Sequence, residues 1–137
     1  MIAPSLLAAS AAIFLVLGTI HLVYTFASRM FSPRDAALEA RLREVSPVIS
    51  RETTMWNAWI GFNASHSFGA MLYGVVYGYL ALFRYDVLRQ TPFLLAAGAV
   101  FLAGFLVVAV RYWFRVPRLG IAVSFVLYVA GCVFAYC

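Results

Sequence analysis

The stretch Thr53–Phe83, TTMWNAWIGFNASHSFGAMLYGVVYGYLALF, runs for 31 residues without a charged side chain. At 1.5 Å per residue a helix of that length reaches roughly 46 Å, against about 30 Å of bilayer hydrocarbon. It lacks the period-2 alternation of a barrel strand, so it reads as a membrane helix that must tilt, kink or project into the cytoplasm. Three further charge-free stretches, Pro4–Ser28, Pro92–Val110 and Leu119–Cys137, are each near or above the ~20 residues a crossing helix needs. All 10 basic residues, every one an arginine, and all 5 acids fall in three windows, Arg29–Glu52, Arg84–Arg89 and Arg111–Arg118. The pattern predicts an all-α bundle of four transmembrane helices, at about 4–28, 53–83, 92–110 and 119–137, forming a single membrane domain over residues 1–137.

Composition excludes the alternatives. Soluble domains are about 45–50% apolar and about 25% charged, whereas this chain is 65% apolar and 11% charged, with a mean hydropathy of +0.93. Its 23 Phe, Trp and Tyr residues rule out a disordered chain. No Lys or Arg precedes Arg29, so the first stretch lacks the basic flank of a cleaved signal peptide and is expected to stay as an anchor. Eight arginines lie in the first and third windows and two in the second. By the positive-inside rule this puts the eight-arginine face in the cytoplasm of a bacterial inner membrane and both termini outside. The net charge of +5 therefore reads as topology and lipid-headgroup contact, with no nucleic-acid motif beside it.

Within the first window, Leu38, Leu42 and Val45 recur on one face while Asp35, Glu39 and Arg43 line another. The spacing predicts a short cytoplasmic amphipathic helix over about 33–46, capped by Ser32 with Pro33 at its first position and stopped by Pro47.

The polar residues inside the spans mark the candidate site. The two histidines of the chain, His21 and His66, both lie in predicted spans, and Asn57 and Asn63 join His66. Intramembrane polar groups need partners or a function. Glu52, Trp56, Trp59, Asn63 and His66 follow at intervals of 4, 3, 4 and 3, and the same side continues through Ala70, Gly74 and Gly78, a ladder suited to close helix packing. Measured from the span centres, His21 and Asn63 are level, whereas aligning the helices at their cytoplasmic ends sinks His66 deeper by roughly 10 Å and parts the histidines. Two readings follow. In one, His21, Asn63, His66, Ser65, Ser67 and Thr25 satisfy one another across a helix interface. In the other, His21, Asn63 and His66 form a pocket, walled by Trp56, Trp59, Phe62 and Tyr24, that holds a lipid-like ligand or a cofactor. One histidine on each helix would suit a haem or a metal ion. No C-x-x-C-H, no H-E-x-x-H and no carboxylate within a span accompanies them.

Other chemistries are excluded. Without lysine there is no Schiff base, and without an acid in a span the usual proton-coupling carboxylate is missing. Cys132 and Cys137 are five apart on one helix and so diverge, which argues against a dithiol or an internal disulfide. No glycine-rich nucleotide loop is present.

At Gly18–Leu22, GTIHL, and Trp56–Gly69, WNAWIGFNASHSFG, the chain resembles a family of small bacterial four-helix membrane proteins of uncharacterised function. That resemblance implies an inner-membrane location and no particular activity. In architecture the chain is also similar to the membrane-bound glutathione and eicosanoid transferases, four-helix proteins that trimerise. Their Arg, Asn and Glu pattern on the second helix is not reproduced, because Arg51, Asn57 and Asn63 have no acid downstream within the span. The expectation is a non-enzymatic protein, homo-oligomeric through glycine-rich seams, whose ligand-binding residues are His21, Asn63, His66, Trp56, Trp59, Tyr24 and Arg51, with the bilayer and a lipophilic small molecule as partners. The alternatives are an enzyme on a lipophilic substrate, with His66 as general acid or base and Arg51 or Arg115 gripping an anionic group, and a structural subunit of a larger membrane complex.

Overall fold

The computed structural model of the chain describes residues 2–136. It is all-α, with the order α1 (Ile2–Ala27), α2 (Ala36–Glu44), α3 (Met55–Phe83), α4 (Tyr85–Gln90), α5 (Pro92–Tyr112) and α6 (Arg115–Tyr136). Four of these, α1, α3, α5 and α6, are long and apolar enough to cross a membrane, the make-up of a multi-pass membrane protein. Cys137, and with it the end of the last predicted span, lies outside the described residues.

The observed boundaries differ from the expected ones where local chemistry decides. α6 begins at Arg115, not near Leu119, and takes in Pro117 and Arg118. A proline is tolerated in a first helical turn because its missing N–H would have no partner there. The cap of α2 is Asp35, not Ser32: its carboxylate accepts from the N–H groups of Ala37 at 2.9 Å and Leu38 at 3.4 Å. A negative charge at a helix N-terminus gains from the dipole as well as from the hydrogen bonds, and Ser32 sits in a turn, its N–H on the Arg29 carbonyl. α2 ends at Glu44, where the Val45 N–H bonds the Arg41 carbonyl, three residues before Pro47. α4 was not expected. It is a single short helix within the second charge window, held by Leu88, which is fully buried.

The described chain divides into two compact units, residues 2–17 with 70–136, and residues 18–69. The first is a four-helix bundle. Its buried positions on α6, Ile121, Ser124, Tyr128, Gly131 and Ala135, alternate three and four apart, as do Ala3, Leu7, Ser10 and Phe14 on α1. This spacing keeps a seam facing its neighbour when helices cross at about 20°. In lipid, helices gain little from burying apolar surface against one another and rely on close contact between small residues. Gly74 supplies such a contact: a Cβ there would lie 2.7 Å from the Leu15 Cβ and 2.8 Å from the Ala11 carbonyl oxygen. Ser10 and Ser124 hydrogen-bond across the same bundle at 2.9 Å. Gly98 leaves room for Tyr128 and Tyr77, whose hydroxyls donate to the carbonyls of Leu95 at 3.0 Å and Leu94 at 2.7 Å. Tyr73 stacks on Phe101 and Tyr77.

Candidate functional site

The second unit contains the end of α1, α2, and the first half of α3, and it gathers most of the polar residues singled out above. α3 starts with Thr54 as its cap, the hydroxyl accepting from the Asn57 N–H at 3.2 Å. Its first N–H, that of Met55, bonds the Val45 carbonyl at 2.8 Å, so the end of α2 is tied to the start of α3. One turn further on, the Trp59 indole N–H donates to the Phe31 carbonyl at 3.1 Å and fastens the segment after α1 to the same helix.

His21 and Asn63 meet. The Asn63 Nδ2 donates to the Trp59 carbonyl at 2.8 Å, and because a carbonyl only accepts, this fixes the amide orientation. Oδ1 therefore faces His21, whose Nε2 lies 2.9 Å away and must carry a proton. Thr25 donates to the His21 carbonyl and Ser67 to the Asn63 carbonyl. Asn63, Ser67 and Thr25 are buried. The buried stripe on α3 runs through Asn63 and Ser67, and His66, one position away, is only half-buried. The His66 ring packs against His21 with centroids 5.2 Å apart, and Phe31 covers His21 at 4.5 Å.

This geometry does not fit a haem held between the histidines. Two imidazoles on opposite sides of one ion, with metal–nitrogen bonds of roughly 2 Å, have ring centres about 6 Å apart with the macrocycle between them. Here the ring centres are only 5.2 Å apart and tilted by 54°, and the Nε2 of His21 is committed as a donor to Asn63. Nor do three or more His, Cys, Asp or Glu gather into a metal site among the described residues.

An open groove of about 410 Å³ lies in the same unit, lined by Met30, Phe31, Ser32, Pro33, Leu42, Trp56 and Trp59. Of the residues expected to bind a ligand, only the two tryptophans line it. Tyr24 lies against Phe31, centroids 6.3 Å apart. Arg51 is exposed on the segment between α2 and α3, and Phe62, a proposed wall, is 76% exposed. Sequence spacing missed Met30–Pro33, because a segment without helical period gives no face to read, and although it placed Leu42 and Arg43 on α2 it could not show which helix they approach. The Arg43 guanidinium stands 4.1 Å from the centre of the Trp56 ring and also grips Glu39 at 2.8 Å. Arg29 takes the other Glu39 oxygen at 3.5 Å.

The hydrogen bond from Arg43, and the charges of Arg43 and Arg29, hold the Glu39 carboxyl below the usual carboxylate range. Because the folded group titrates below the unfolded one, its stabilising contribution is complete above that range and is lost as pH falls through the lowered value. The protection of the α2 amides, corrected for the intrinsic pH dependence of exchange, should accordingly fall on acidification, and Glu39→Gln should show the lowered protection, and so faster exchange, already at neutral pH. Equal rates in the two proteins at neutral pH would remove Glu39 as the tether of α2.

Comparison with family models, with curated proteins and with solved structures finds no match.

Proposed function

We propose that this is a non-enzymatic protein of the bacterial inner membrane that holds a lipid-like amphiphile in the groove between the Met30–Pro33 segment, Leu42 and the two indoles. The observation that carries this reading is the groove itself. Its volume falls within the roughly 300–1,000 Å³ of small-molecule sites, and its lining is largely apolar and aromatic, as such sites are. Arg43, seated on Trp56, puts a cation at its border suited to an anionic headgroup. The His21–Asn63 pair, joined to Trp59 through its carbonyl, braces the wall. The arginine distribution supports an orientation with both termini outside the cytoplasm. Assembly with further copies is part of the proposal, supported by Gly61 and Gly69, where an added Cβ would meet open space.

Leu42→Trp tests the ligand. The larger side chain fills the groove from α2, an exposed helix with no buried residue, so folding should survive. Purified in mild detergent, the parent protein should carry a stoichiometric amphiphile by native mass spectrometry and the variant should carry about tenfold less, or none. A parent protein that is ligand-free, or a variant that carries as much, would reject the proposal.

A further inference from the structure

Between α2 and α3 the chain makes a short excursion whose base is closed by the Val45–Met55 hydrogen bond. Its tip is the turn Pro47–Ser50, in which the Ser50 N–H reaches the Pro47 carbonyl at 3.3 Å. The central residues of such a turn are usually Gly, Asn, Asp, Pro or Ser. Here they are Val48 and Ile49, 109% and 92% exposed, the two most exposed large apolar residues of the described chain. Neither side chain is covered by any of the described residues.

We infer that the Val48–Ile49 turn is a lipid anchor that inserts into the boundary between headgroups and acyl chains. Two placements favour lipid as the occupant. The excursion feeds directly into Met55, the first residue of a membrane-length helix, and Trp56 and Trp59 stand at that end of the helix, where indoles favour the membrane interface. The tip is therefore within a few residues of the bilayer surface. Arg51 follows Ile49 by two residues, is exposed, and makes no ion pair within the described chain, leaving its guanidinium to a lipid phosphate while the aliphatic pair sinks below it. The inference does not depend on the groove holding a ligand.

The full chain is reconstituted in phosphatidylcholine–phosphatidylglycerol nanodiscs, with Cys132→Ser and Cys137→Ser as background and a polarity-sensitive fluorophore on Ile49→Cys or, as a water-side control, on Glu44→Cys. At position 49 brominated lipid should quench about fivefold more than at 44, and aqueous iodide should do the reverse. Equal iodide quenching at the two positions overturns the anchor. So does a label at 49 that neither agent reaches, which would indicate a second copy or another protein over the turn. The pair Val48→Ser with Ile49→Ser should keep the helical circular-dichroism signal and be cut by trypsin after Arg51 about tenfold faster in nanodiscs. Unchanged cleavage also overturns it.

Discussion

Gly74→Ala is expected to lower the stability of the bundle by about 2 kcal/mol, whereas Gly78→Ala, four residues along the same G-x-x-x-G, should leave it unchanged or raise it by up to about 1 kcal/mol through better helix propensity. In sequence the two glycines are equivalent. In the structure a Cβ on Gly74 meets the backbone of α1, with the Ala11 oxygen and the Leu15 nitrogen each at 2.8 Å, while a Cβ on Gly78 lies at an ordinary 3.7 Å from the Ala11 Cβ. Backbone atoms cannot swing aside as the end of a side chain can, so α1 must move away along the seam and give up contacts above and below. Reversible unfolding in detergent or bicelles reads the difference, with Gly104→Ala, which meets nothing within 4 Å, as the neutral reference. Equal losses at Gly74 and Gly78 would mean that the seam of α1 and α3 is not packed as described.

The second large effect is expected at the His21–Asn63 pair. His21→Ala leaves the Asn63 oxygen without its partner, and Asn63→Ala removes the amide that joins His21 to the Trp59 carbonyl. Each should cost about 1–3 kcal/mol. The double variant should cost less than the sum of the two single losses, by a coupling of about 0.6 kcal/mol and at most about 1.7 kcal/mol, the average and the maximum for interhelical hydrogen bonds in membranes. Strictly additive losses would show that the two side chains act apart. The same singles should alter the emission of Trp59, because that indole is fixed at its ring by Phe31 and at its carbonyl by Asn63.

The spans were legible because charges cannot be left in hydrocarbon: their confinement to three windows marks the helix ends to within a few residues. The meeting of His21 with Asn63 was legible as one of two registers, since depth along a helix follows from residue counting. What escaped was everything fixed by irregular backbone. α4 hangs on Leu88, which no periodicity could single out from Tyr85 and Val87 in a helix of only six residues. Asp35 outcompeted Ser32 as a cap because its charge gains from the helix dipole, a margin of under about 1 kcal/mol on an exposed surface. The groove depends on Met30–Pro33 following a path set by the long-range hydrogen bond from Trp59 to Phe31, and on α2 being held to α3 by the contact of Arg43 with Trp56. For the same reason the expected pocket at His21, Asn63 and His66 and the observed groove differ: spacing shows which polar groups share a face, but not that they are consumed by one another.

Photolabelling bears most directly on the groove as a ligand site. A photoreactive phospholipid analogue, carried on the full-length protein in nanodiscs and irradiated, can be mapped by peptide mass spectrometry. Occupancy of the groove predicts adducts concentrated on Met30–Pro33, Leu42 and Trp56–Trp59, strongly reduced by an excess of the unlabelled lipid and in Leu42→Trp. Adducts spread over the lipid-facing residues of α5 and α6, such as Val100, Val107 and Val126, with the groove labelled no more than these and no competition, would contradict it.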